Sequence, residues 1–131
     1  MVPELWEAVL PFIGRALEFH PFLKSEALLQ RLLDGKAALF VFVDGGIVGA
    51  AAMEATEYPQ DLVGNVVALG GVRGFYRKYA HEAVDALERW CRRQNCTKMA
   101  MLGRQGWSRF LASRGVHFQP VVHAWKDLSR P

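Results

Sequence analysis

Gly70-Gly71-Val72-Arg73-Gly74 holds three glycines in five residues, and Arg77 and Lys78 follow closely. Glycine lets a backbone approach a ligand, and the basic side chains add charge, so the segment reads as a cradle for a phosphate-like anion. The same composition also makes an ordinary chain reversal, and both readings stand at this point. A second segment, Gly103-Arg104-Gln105-Gly106-Trp107, sets Arg104 and Trp107 between glycines. Such a junction can hold an anion or a partner's side chain, since Trp and Arg are frequent interface anchors. Trp107 can equally fill the gap where a helix meets a sheet. His20, His81, His117 and His123 show no ligand spacing. Cys91 and Cys96 form neither a disulfide framework nor a C-x-x-C pair, so no metal is expected.

The chain that must position these groups has 131 residues, which is the size of one domain spanning 1–131. Its 51% hydrophobic and 22% charged residues mark a globular protein rather than a disordered one. The longest apolar run, Ala37 to Val43, is too short to span a bilayer, and without a basic region leading into an apolar stretch near residue 1 no signal peptide is expected. A cytoplasmic protein is the expectation. The net charge of +3 is unevenly spread. Residues 1–72 carry four basic side chains against nine acidic ones, whereas residues 73–131 carry twelve against four. That asymmetry points the C-terminal half toward an anionic partner: a nucleotide-like cofactor, a nucleic acid or an acidic protein.

The apolar spacing of Leu5, Trp6, Val9, Leu10, Ile13 and Leu17 predicts a helix over 3–19, kinked or split at Pro11. Ser25 can cap a second helix whose stripe is Leu28, Leu29, Leu32 and Leu33 and whose stop is Asp34-Gly35. The period then changes to strand. Ala37–Val43, the turn Asp44-Gly45-Gly46 and Ile47–Thr56 read as a hairpin, and Val63–Leu69 as a third strand. A long helix from Phe75 to Gln94 carries the stripe Tyr79, Ala83, Leu87, Trp90 and Cys91, with Asn95 able to take a left-handed stop. Thr97–Leu102 is a strand, Trp107–Arg114 a short helix stopped by Gly115, and Val116–Leu128 one or two strands. This order predicts an α/β domain: a mixed, mostly antiparallel sheet with one β-α-β crossover and helices on both faces.

In this order the residues resemble the GNAT superfamily of acyl-CoA-dependent N-acyltransferases over about Leu32 to Leu128. The resemblance rests on the strand-turn-strand Ala37–Thr56, the strand ending at Gly70-Gly71, the helix end Glu88-Arg89-Trp90-Cys91, and the run Phe110 to Val116. It is similar more narrowly to small GNAT-like proteins of tailed bacteriophages. Those share the patterns Glu57-Tyr58-Pro59, Leu69-Gly70-Gly71, Gly103 to Trp107 and Lys126-Asp127-Leu128. The resemblance implies that coenzyme A or acetyl-CoA binds along the Val63–Leu69 strand, through Leu69, Gly70, Gly71, Val72, Arg73 and Gly74. The pyrophosphate would rest on the N-terminus of the following helix.

Amine acylation needs a base near neutral pH and an N–H donor for the oxyanion. By analogy Glu54 or Glu57 would be the base, and backbone N–H near Leu69 or Gly70 the donor. The sequence also departs from the pattern. Tyr76 and Arg77 stand where further loop glycines are usual, Leu111 where a tyrosine acid is usual, and Gln105 where an asparagine is usual. The usual opening strand is missing. Two functions are compatible with these residues: acyl transfer to an amine, and a non-catalytic protein that docks on a partner such as a host protein. A nucleic-acid reading has less support, because no helix-turn-helix, RNP-type strand or zinc module is present.

Overall fold

The computed structural model describes residues 2–18, 22–101, 115 and 126–129. Within them the order is α1 (Val2–Leu17), α2 (Ser25–Leu33), β1 (Ala38–Val43), β2 (Ile47–Glu57), β3 (Leu62–Gly71), α3 (Phe75–Arg93) and β4 (Lys98–Met101). The strands lie side by side in that sequence, β1-β2-β3-β4. The first two pairings are antiparallel, and β3 pairs β4 in parallel across the α3 crossover. The mixed α/β sheet is therefore present as the residue pattern predicts.

Strand alternation sorts the core into two layers. Ala50, Ala52 and Ala68 face α1 and α2, where Val9, Ile13 and Leu28 are fully buried. Ala51, Met53 and Leu69 face the opposite way, toward Leu87, Cys91 and their neighbours on α3. Small residues along β2 let the helices of both layers sit close to the sheet.

One irregularity breaks the alternation on β3. Ala52 pairs Ala68 while Met53 pairs Val66, so Val67 is an extra residue. Val66 packs toward α3, Val67 and Ala68 both pack toward α1, and Leu69 returns to the α3 side. This is a β-bulge, which bends a strand and re-aims the residues beyond it.

Several expectations need correction. Pro11 lies inside a single helix, α1, rather than dividing it in two. Both Pro11 and Glu7, one turn earlier, are exposed, so water can take the carbonyl that the proline ring leaves unbonded. Ser25 is the first helical residue, not the cap. Lys24 occupies the cap position without a side-chain hydrogen bond. Leu10 and Leu33 are exposed rather than buried. On α3 the buried stripe is Phe75, Ala80, Ala83, Val84, Leu87 and Cys91, with Tyr79 and Trp90 half-buried on its flanks. Asn95 does adopt a left-handed backbone, with φ of 62°. Lys126–Leu128 is not strand. Asp127 accepts hydrogen bonds from the Ser129 N–H (2.9 Å) and hydroxyl (2.6 Å), a local turn. Leu102, the Trp107–Arg114 helix and the strand reading of 116–125 lie outside the described residues.

Candidate functional site

The glycine loop is built by packing from both faces of the sheet. A Cβ on Gly70 would stand 2.5 Å from the Phe12 carbonyl oxygen of α1, and a Cβ on Gly71 would overlap the Phe75 side chain. Phe75 is the first residue of α3 and is fully buried; its ring also fills the space above Gly49. Gly70 and Gly71 are thus glycines because α1 and Phe75 need their room, not because a ligand does. Gly74 differs. Nothing lies within 4 Å of its missing Cβ, and its φ of +82° caps α3 in a left-handed conformation.

Local hydrogen bonds hold the loop in place. The Val72 N–H extends the β2–β3 ladder to the Val48 carbonyl at 2.8 Å, and the Phe75 N–H turns back to the Val72 carbonyl at 2.9 Å. The N–H groups of Arg73, Gly74 and Arg77 have no backbone acceptor among the described residues. The first turn of α3 contains no acidic residue but carries Arg77 and Lys78, preceded by Arg73. Cations there oppose the positive end of the helix dipole, an arrangement that an anion would relieve. Lys78 is partly engaged: its Nζ lies 3.9 Å from Asp44, which also accepts the Tyr79 hydroxyl at 2.5 Å. Arg73 and Arg77 are exposed, with no ion pair among the described residues. Tyr76 leans on Phe75 with ring centroids 6.3 Å apart.

The parallel β3–β4 pairing runs from Val63↔Lys98 to Val66↔Met101, and from Val67 to Gly71 the β3 edge has no β4 partner among the described residues. The residues that follow Met101 lie outside those described. The bulge comes one residue past the last described pair, and β3 runs on from it directly into the glycine loop and the helix N-terminus.

The carboxylates lie farther along the sheet. Glu54 is next to Met53, which pairs Val66 beside the bulge, so it sits about one residue rise, ~3.3 Å, beyond that point. Its carboxylate is not free. Arg31 of α2 donates its Nε–H to Glu54 Oε1 in a half-buried ion pair, and this hydrogen bond, with the Glu54 charge, raises the guanidinium pKa further. Glu57 is exposed at the end of β2, opposite Leu62 and about 13 Å past Met53 along the strand. The structure brings Glu54 near the bulge and leaves Glu57 remote. Leu69 and Gly70 pair Ala51 and Ala50 on β2. Arg104, Gln105, Trp107 and Leu111, with His20, His117 and His123, lie outside the described residues.

Sequence reading missed Asn65 and Arg31. Asn65 pairs Glu54 and Ala100 across the two ladders and donates its side-chain N–H to Thr56 Oγ1 at 2.8 Å. A shallow depression of about 550 Å³ is lined in part by Asn65, Tyr58, Asp61 and Lys98, at the end of β3 away from the glycine loop. There Asp61 accepts from Lys98 and from Thr97, each at 2.8 Å, which holds its carboxyl below the usual range. Among the described residues, no three His, Cys, Asp or Glu side chains are grouped to hold a metal. No described helix is long and apolar enough to cross a membrane.

The fold has counterparts among solved structures. An aminoglycoside acetyltransferase from an uncultured soil metagenomic sample superposes with a TM-score of 0.74, covering 98% of this chain and 90% of its own at 16% identity. Glucosamine-6-phosphate N-acetyltransferase from Arabidopsis thaliana superposes at 0.71, covering 96% and 93%, with 12% identity. The chain has the GNAT acetyltransferase fold. A third structure with this fold, AAC(6')-Iy, was solved with the bisubstrate analogue CoA-S-monomethyl-acetylneamine; it superposes at 0.69 and 16% identity, covering 96% and 91%. No protein-family model and no curated protein matches the sequence.

Proposed function

We propose that the protein binds acetyl-CoA or a related acyl-CoA between the β3 edge and the α3 N-terminus and transfers the acyl group to an amine. One observation carries this reading. The bulged strand β3 runs straight into a helix start where, among the described residues, the N–H groups of Arg73, Gly74 and Arg77 have no backbone acceptor and the Arg73 and Arg77 side chains have no ion pair. The residues fit a polyanionic cofactor. The N–H groups of Arg73, Gly74 and Arg77 offer donors to an anion, and the Arg73 and Arg77 side chains supply balancing charge. Bound there, the cofactor would bring an activated thioester to the β3 bulge. Val67–Gly71 would hold its extended arm by strand-like hydrogen bonds, and a backbone N–H near Leu69 or Gly70 would serve the developing oxyanion.

Glu54 is the carboxylate close enough to the bulge to take the proton from the amine. To do so it must exchange the Arg31 guanidinium for the ammonium, so Arg31 holds the base in reserve until an acceptor arrives. The test is thiol release from acetyl-CoA with a panel of primary amines, for the wild type and Glu54→Gln. The reading expects turnover in the wild type and a loss of about 10²-fold or more in Glu54→Gln. Turnover that Glu54→Gln leaves intact would remove Glu54 from the reaction.

A second reading, a non-catalytic protein that acts by docking on an acidic partner, draws on the same ion pair, because a carboxylate committed to Arg31 is a poor base. Were the chain phage-encoded, that partner would be a host protein, with Arg104 and Trp107 as its anchors. Acetyl-CoA binding without turnover on any amine would favour it.

A further inference from the structure

We infer that the outer edge of β1 is a pairing surface for a second copy of this chain, joining two sheets through antiparallel β1 strands. Among the described residues β1 pairs β2 and has no strand on its other side. Its sequence, Ala-Leu-Phe-Val-Phe-Val, has no charge and no proline, the devices that ordinarily blunt a free edge. The register shift beside Phe42/Val43 places the extra residue, Val48, on β2, so β1 itself stays regular. Ala38 to Phe42 are only half-buried, and Val43 is 68% exposed.

Charge selects the occupant and the register. Lys36 lies just before β1 and Asp44 just after it; both are exposed, and Ala37–Val43 between them is uncharged. Asp44 meets the Tyr79 hydroxyl and Lys78 through Oδ2 alone, so its Oδ1 is the atom a partner's Lys36 would reach. In an antiparallel pair with Phe40 opposite its own copy, Lys36 of each chain meets Asp44 of the other, twice by symmetry. Leu39 then faces Val41 and Ala38 faces Phe42, so every opposed pair lies on the same side of the joined sheet. The flanks continue the match. Phe40 carries Trp90 against it edge-on, at 6.2 Å, on the α3 side, and Leu33, at the end of α2 shortly before β1 begins, is 50% exposed. A two-fold axis through Phe40 would gather both Phe40–Trp90 pairs at its centre.

The experiment is sedimentation of the full chain over a micromolar to millimolar range, with Lys36→Glu and Asp44→Lys measured separately and mixed. The wild type should dimerise. Either variant alone places like charges opposite each other twice and should weaken dimerisation by about tenfold. The mixture should recover it, because the carboxylate introduced in one chain then meets the ammonium introduced in the other, and the second pair keeps its native charges. Amide exchange at Phe40–Phe42 in the wild type should slow as concentration rises, which reads the edge without any substitution. A wild type that stays monomeric throughout would overturn the inference. So would dimerisation that neither variant weakens, or a strand from another protein protecting these amides while the chain remains monomeric.

Discussion

The two ends of the β3 strand treat charge in opposite ways. Where β3 begins, Lys98 is matched with Asp61, and alongside its middle, on β2, Glu54 is matched with Arg31. Where β3 ends, Arg73 and Arg77 crowd the positive end of α3 with no carboxylate among the described residues to answer them. A fold selected for stability alone would place acids in that turn. The contrast separates a region whose cations are paired from one whose arginines have no carboxylate partner among the described residues.

The largest expected effect tests what holds the unpaired end in shape. Phe75→Ala empties the space over Gly49 and Gly71 and should cost about 3–5 kcal/mol in denaturant melts. Gly70→Ala should cost about 1–3 kcal/mol, since its Cβ meets the α1 backbone rather than a side chain that can swing away. Gly74→Ala, strained only by its positive φ, should cost about 1–2 kcal/mol. Were Gly74→Ala the most damaging of the three, the loop would depend on backbone conformation rather than on packing.

These glycines show where the sequence was legible and where it was not. The strand and helix limits from Leu28 to the start of β4 follow local periodicity and turn residues, and they fall within one or two residues of the structure. Gly70 and Gly71 look like ligand-facing glycines because the residues that occupy their space are Phe12, far off in sequence, and Phe75, which is drawn inward from a helix start. The Val67 bulge leaves no trace in β3 alone, because it is a property of its register with β2. The Arg31–Glu54 pair joins a helix and a strand 23 residues apart, and neither residue's type announces it.

Smaller effects sharpen the contrast between the two ends. Glu54→Gln should lower stability by up to about 1 kcal/mol, because it leaves Arg31 half-buried without its anion. Arg77→Ala should do the opposite at low salt, raising stability by a few tenths of a kcal/mol as repulsion with the dipole is relieved. A destabilising Arg77→Ala would mean that the guanidinium has a partner, and the contrast would fail. On α3, burial raises the Cys91 thiol from 9.0 to about 11. Its neutral form is therefore favoured by folding, so that contribution is intact below pH 9 and is lost between about 9 and 11. Alkylation of Cys91 should lag behind that of half-exposed Cys96 throughout this range.

The most direct test of the anion-dependent end is calorimetric titration of acetyl-CoA into the wild type and into Arg73→Ala/Arg77→Ala, each at low and high salt. The account predicts one site in the wild type that weakens as salt rises, and that weakens by about tenfold or more in the double variant while its fold persists. Binding that is absent in the wild type at millimolar acetyl-CoA, or equal in both proteins, would contradict it.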